Sequence, residues 1–277
     1  MTQSAVALQP GRIASLFMKL GAARRKALVP FITAGDPSRE STVAVMHALV
    51  AAGADLIELG VPFSDPMADG PVIQRSSERA LERGVGTGQV FDFVREFRQT
   101  DAHTPVVLMG YLNPVEMRGP DRYAAEASQA GVDGLLLVDL PPEEAAPIRA
   151  SFNAHGLDLI SLAAPTTSPE RLRRLADASQ GYLYYVSFAG VTGASITDVS
   201  DVAAKAGALR AMSKVPVLIG FGIKDAASAS AMAPIADGIV VGSALVEQLS
   251  SAGSPQEAAE RAKAFLAPLR SAIDASA

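Results

Sequence analysis

One unit recurs along the chain and limits its fold more than any other feature. Ala52-Gly53-Ala54-Asp55 precedes the apolar run Leu56–Leu59, Ala130-Gly131-Val132-Asp133 precedes Gly134–Val138, and Ile235-Ala236-Asp237-Gly238 precedes Ile239–Val241. Each reads as a helix end, a turn carrying an aspartate, and a strand of the buried type. In the first two the glycine suits the left-handed conformation that closes a helix. Five more runs have the same apolar character: Ala27–Thr33, Pro105–Met109, Leu157–Ala163, Tyr182–Val186 and Pro216–Gly220. Helical spacing fills the intervals, as in Tyr123–Ala130, Glu143–His155, Pro169–Ala178, Val199–Met212 and Asp225–Ala233. Eight buried-type strands alternating with helices predict an α/β fold with a parallel sheet. Over 277 residues without a linker they predict a single (β/α)8 TIM barrel spanning 1–277, rather than two domains or an open doubly wound sheet. Ile13, Leu16, Phe17 and Leu20 predict an extra N-terminal helix, and a helical tail from Ala244 to Ile273, broken near Gly253-Ser254-Pro255, closes the barrel.

Composition narrows the function classes. The chain is 49% hydrophobic and 19% charged, enough apolar matter for a large core, and its net charge of −5 is spread in sign. Without a basic cluster beyond Arg24-Arg25-Lys26 there is no nucleic-acid footprint. No apolar run is long enough to span a bilayer, and Met1 to Gln9 lacks the pattern of a signal peptide. With no Cys, disulfides, thiolate catalysis and Cys-ligated metals are excluded. The expectation is a soluble, cytoplasmic protein.

Barrel enzymes place their chemistry at the C-terminal ends of the strands. There the chain offers Glu58, set in an apolar strand, and Asp69, eleven positions on in a loop rich in Pro, Gly and Asp. A carboxyl inside a buried strand is costly unless paired or used. Two readings stay open on this stretch alone: a general acid/base pair, or a buried ion pair with turn-capping aspartates. Gly193, Gly222 and Gly242 follow the late strands, and Ser243 opens the helix after the last. Free backbone N–H groups at such turns and a helix N-terminus suit a phosphate. Phe31, Ile73, Met109 and Tyr184 are candidates for an apolar pocket, or for ordinary core. His47, His103 and His155 all fall away from the strand C-termini, so no metal site is expected. No Lys lies within a strand candidate, which argues against a Schiff base.

The motifs Leu28-Val29-Pro30-Phe31-Ile32-Thr33-Ala34-Gly35-Asp36-Pro37 and Glu58-Leu59-Gly60-Val61-Pro62-Phe63-Ser64-Asp65-Pro66, with Ala68-Asp69-Gly70-Pro71, resemble the α subunits of tryptophan synthases. Gly190-Val191-Thr192-Gly193 and Gly220-Phe221-Gly222-Ile223 extend the likeness, which runs from about Arg12 to about Leu249. The resemblance implies a lyase that cleaves indole-3-glycerol phosphate to indole and glyceraldehyde 3-phosphate. It implies Glu58 as the acid/base, Asp69 as the carboxylate facing the indole N–H, and Tyr184 as a pocket residue. Thr192 would belong to a closing loop, and Gly193, Gly222, Gly242 and Ser243 to the phosphate cradle. It further implies no cofactor in this chain and a β-subunit partner carrying pyridoxal phosphate in an αββα complex. That partner would be met by the loop near Asp65-Pro66, an Asn113-Pro114 turn and Pro141. The rivals are another phosphosugar-barrel enzyme, a flavin-binding barrel, and a non-catalytic regulatory barrel subunit.

Overall fold

The computed structural model describes residues 10–186, 199–220 and 222–276. Eight parallel strands close into a barrel in chain order: β1 (Ala27–Thr33), β2 (Ile57–Gly60), β3 (Val106–Gly110), β4 (Gly134–Leu137), β5 (Asp158–Ala163), β6 (Leu183–Val186), β7 (Val217–Gly220) and β8 (Gly238–Val241). β8 pairs back onto β1, Val29 beside Val240. No expected strand end is displaced by more than one residue. The helices among the described residues are α1 (Arg12–Ala22), α2 (Ser41–Ala51), α3 (Pro71–Glu82), α4 (Thr87–Arg98), α5 (Leu112–Arg118), α6 (Pro120–Ala130), α7 (Ala145–Ala154), α8 (Pro169–Ala178), α9 (Val199–Met212), α10 (Ala226–Met232), α11 (Ser243–Leu249) and α12 (Pro255–Asp274). Among them no helix is long and apolar enough to cross a membrane.

The strands are apolar throughout because both of their faces are buried. Outward side chains such as Leu28, Ile57, Leu108, Leu135 and Ile219 pack with the surrounding helices in one cluster. Inward ones, among them Val29, Val107, Leu136, Ile160, Tyr182, Leu218 and Val240, fill the interior. The extra N-terminal helix has a definite task. Ile13, Leu16, Phe17 and Leu20 of α1 join the interior cluster and stopper the end of the barrel where the strands begin. The Asn113-Pro114 pair corrects an expectation: it lies in the first turn of α5, not in a turn. Proline is tolerated there because the first helical N–H groups have no partner within the helix.

The recurring aspartates clasp neighbouring strands. Asp55, just before β2, donates its N–H to Leu28 O (2.9 Å) and accepts the Leu28 N–H on Oδ2 (2.9 Å). Asp133 does the same to Val106 of β3 (2.9 and 2.8 Å), and Asp237 to Val217 of β7 (2.9 and 2.9 Å). Arginines neutralise the three carboxylates: Arg25 and Arg270 at Asp55, Arg12 and Arg98 at Asp133, Arg210 at Asp237. The glycines of the unit make room for them. Gly53 has φ of +98°, and a Cβ there would stand 2.7 Å from Arg270 Cγ; Gly131 has φ of +93° and would stand 2.8 Å from Arg98 Cγ. One residue type thus serves the left-handed turn and the passage of an arginine beneath it.

Two outcomes follow from these clasps. Arg270 is 7% exposed and also bonds Asp274 and Lys26 O, so Arg270→Leu leaves Asp55 short of a buried counterion. Urea denaturation is expected to show a loss of about 3 kcal/mol. Asp158, at the start of β5, has its pKa pushed up to about 6 by burial and then by the charge of Asp133. The folded chain therefore keeps a proton that the unfolded chain releases near 3.8, and stability falls as pH rises from there through 6. Asp158→Asn is expected to be more stable than the parent by roughly 1–2 kcal/mol at pH 8, with the difference vanishing below pH about 4.

Candidate active site

Glu58 lies at the middle of β2, in register with Phe31 of β1 and Val107 of β3, and is wholly buried inside the barrel. Strand alternation turns its side chain to the interior, since its neighbours Ile57 and Leu59 belong to the outer cluster. Oε1 accepts a 2.6 Å hydrogen bond from the hydroxyl of Tyr182, the residue before β6, across the barrel, while Oε2 has no partner among the described residues. Burial raises its pKa to about 7, against the opposing effect of the Tyr182 bond. Near neutral pH this carboxyl populates both forms, as a group that gives and takes a proton in one cycle must. The bland alternative, a buried ion pair, is not what is observed: no cation meets Glu58 among the described residues.

Asp69 comes over the strand ends from the loop between β2 and α3. Its Oδ2 accepts from the Tyr111 hydroxyl (3.1 Å), which itself accepts from Ala68 N–H (3.0 Å). Phe63 stacks on the Tyr111 ring with centroids 4.9 Å apart. Gln74 of α3 donates to Asp69 O (3.0 Å) and Pro66 O (3.3 Å), pinning the loop from its other side. Burial pushes the Asp69 pKa up to about 6, opposed by the Tyr111 bond, so it is mainly a carboxylate at neutral pH.

A cleft opens at Asp69, and Glu58 is not among the residues that line it. Asp69, Phe31, Ile73, Met109, Tyr111 and Val138 line it, with Thr33, Gly60, Val61, Ser77 and Gly110. Three of the four expected pocket residues, Phe31, Ile73 and Met109, therefore meet Asp69 in one cleft. Gly60, two positions beyond Glu58 on the same strand, keeps the space open: a Cβ there would stand 2.6 Å from Phe31 Cζ. Tyr184 sits elsewhere, inside the barrel against β7, where its hydroxyl would lie 1.9 Å from a Cβ on Gly220. The charge of Glu58 contributes, after burial, to pushing up the Tyr184 pKa.

Farther around the same rim, Gly222 follows β7 with φ of +49°, and no atom of the described residues lies within 4 Å of where its Cβ would be. Gly242 is the N-cap of α11 and Ser243 its first residue, with no side chain capping the helix. Three of the four expected phosphate positions, Gly222, Gly242 and Ser243, thus stand just past the ends of the adjacent strands β7 and β8. Thr192 and Gly193 lie outside the described residues. Among the described residues no group of three His, Asp or Glu is placed to hold a metal ion.

The sequence reading missed the hydroxyls that hold both carboxylates, Tyr182 and Tyr111. Tyr182 had a usable signal: it stands two residues before Tyr184, and residues two apart on a strand share a face. Tyr111 had none, because its bond to Asp69 joins loops 42 residues apart.

A closed parallel barrel with a buried carboxyl poised near neutrality and a second carboxylate over its mouth places this chain among the (β/α)8-barrel enzymes of acid/base type. Comparison with known proteins is more particular. The chain belongs to the family described as tryptophan synthase alpha chain, whose profile matches residues 17–274. It is 66% identical over 264 residues to the tryptophan synthase alpha chain of Xanthomonas euvesicatoria pv. vesicatoria, covering 95% of this chain and 98% of that protein. It is 65% identical, at the same coverage, to that of Xylella fastidiosa strain M12. The crystal structure of tryptophan synthase subunit alpha from Legionella pneumophila superposes with a TM-score of 0.89 at 47% identity, covering 96% of this chain and 99% of that one. In a ligand-free tryptophan synthase from M. tuberculosis the matching chain gives 0.85 at 36% identity, covering 95% and 99%.

The Tyr182 bond can be tested directly. Tyr182→Phe removes the donor that favours the ionised form of Glu58, so the Glu58 pKa is expected to climb above about 7. A carboxyl-carbon NMR titration reads this; an unchanged or lower value would contradict the assignment.

Proposed function

We infer that Glu58 is the proton donor and acceptor, and Asp69 the charge-stabilising carboxylate, of the reaction this family performs. That reaction is the carbon–carbon cleavage of indole-3-glycerol phosphate to indole and glyceraldehyde 3-phosphate, a step of tryptophan biosynthesis. The observation that carries the reading is the Glu58 carboxyl: buried, one oxygen fixed by Tyr182, the other without a partner and neither with a counterion among the described residues, pKa about 7.

Indole is a poor carbon leaving group until its C3 is protonated. Glu58 delivers that proton, leaving a positively charged, indoleninium-like ring. Asp69, ionised above pH about 6, accepts a hydrogen bond from the ring N–H and stabilises the cation in a half-buried setting where such attraction is strong. The Glu58 carboxylate so formed then takes the proton of the glycerol hydroxyl next to the ring. As that O–H becomes C=O, the C–C bond breaks, its electron pair returns to the ring, and indole and the aldehyde phosphate separate. Phe31, Ile73 and Met109 supply apolar walls for the ring, and Tyr184 packs farther inside the barrel. The phosphate is held by the backbone amides at Gly222, Gly242 and Ser243; Gly193 and Thr192, the other two residues assigned to the substrate, lie outside the described residues. Every proton in this scheme moves through the chain's own side chains, and no cofactor is assigned to it.

Indole then passes to a tryptophan synthase β subunit, which carries the pyridoxal phosphate, in an αββα assembly in the cytoplasm. Exposed Met67, on the Asp69 loop, and exposed Met117, on α5, stand on the strand-end side of the barrel where such a partner would seat. The chain acts as one barrel domain. Purified protein is expected to release indole from indole-3-glycerol phosphate slowly alone and faster with a β subunit. Glu58→Gln and Asp69→Asn are each expected to lose activity by at least ~100-fold while circular dichroism stays unchanged. Full activity in Glu58→Gln would remove the acid/base assignment.

A further inference from the structure

Among β4, β5, the helices α7 and α8 and the loops that follow the two strands lies a cavity of about 310 Å³. Its floor is apolar, with Leu137, Leu159, Ala145 and Leu175. Arg149 of α7 reaches into it. Arg149 Nε is buried without a hydrogen-bond partner, and the side chain has no ion pair among the described residues. Other part-buried arginines of this barrel each have a carboxylate: Arg79 on Asp36, Arg98 on Asp133 and Arg270 on Asp55. At the rim of the cavity stands Arg171, half engaged by Glu143 at 3.3 Å. The Ser161 hydroxyl, on the outward face of β5, also lines it.

An unpaired guanidinium in a part-buried site is costly, and a counterion relieves that cost. Guanidinium matches a planar oxyanion with two parallel hydrogen bonds, while Leu137, Leu159, Ala145 and Leu175 offer hydrocarbon beside it; the wall also carries Asp139, Thr166 and Thr167. A volume of about 310 Å³ accommodates a small molecule rather than a peptide segment. We propose that this cavity is a second ligand site, which takes a small organic oxyanion, a carboxylate or phosphate on a short apolar body, with Arg149 as its anchor. Its occupant abuts the active site without entering it, because Val138 lines both this cavity and the cleft of Asp69.

The test is calorimetric titration of the full chain with benzoate, with neutral benzyl alcohol as control, and with inorganic phosphate. Benzoate is expected to bind and benzyl alcohol not. Arg149→Met keeps the apolar stem and is expected to weaken benzoate about tenfold or more, with a similar but smaller loss in Arg171→Met. Arg149→Lys, which keeps the charge without the fork, is expected to fall between and secures the reading if Arg149→Met unfolds. Inorganic phosphate distinguishes the two oxyanion sources: dependence on Arg149 for benzoate alone assigns carboxylates, and for both assigns oxyanions at large. Benzoate binding equally to parent and Arg149 variants, equal binding of benzyl alcohol, or no benzoate binding would each overturn the proposal.

Discussion

Three aspartates, each gripping a neighbouring strand by both its backbone groups, set the frame on which everything else rests. A parallel barrel has no hairpins to fix its register, and a one-residue slip would turn every inward side chain outward. Asp55, Asp133 and Asp237 bond to Leu28, Val106 and Val217 at the ends where the strands begin. Arginines drawn from α1, α4, α9, α12 and the turn before β1 pair with those carboxylates and tie the outer helices to the same points. Stability is thereby concentrated at one end of the barrel, and the opposite end is left to loops that carry chemistry.

A consequence inside the barrel is a carboxyl held where it would not otherwise stay. Glu58 is inward because the register makes it so, and dry because Tyr182, Tyr184 and the apolar interior surround it. Burial alone would hold the proton more tightly; one hydroxyl bond brings the balance back toward neutrality. Asp69 is built differently, on a loop, braced by Tyr111 below and Gln74 behind. The two acids thus differ in solvation and in what holds them. α1 has a part in this, since Phe17 places its ring 6.2 Å from that of Tyr182 and closes the interior from beneath.

Much of this was legible before any coordinates. All eight strands are recognisable because burial on both faces writes a continuous apolar run into each. Glu58 stands out because a carboxyl in such a run has no bland explanation without a partner. Other elements hid for physical reasons. α5 carries Asn113-Pro114 in its first turn, and proline there looks the same as proline in a loop. α4 was readable in principle, since Val90, Phe91, Val94 and Phe97 recur at helical spacing and are buried.

The barrel, its repeated turn and the two carboxylates can be read from the chain alone, because these depend on local periodicity and on residues that are costly where they stand. Only the tertiary structure decided what each of those residues touches. The aspartates proved to be strand clasps, their glycines passages for arginine, and Tyr182 rather than Tyr184 the group on Glu58. Arg149 reads in the sequence as one more charge on a helix, and only the fold leaves it in a cavity without a counterion. Such pairings join residues far apart along the chain. Their energies come from distance and desolvation, which a one-dimensional pattern does not carry.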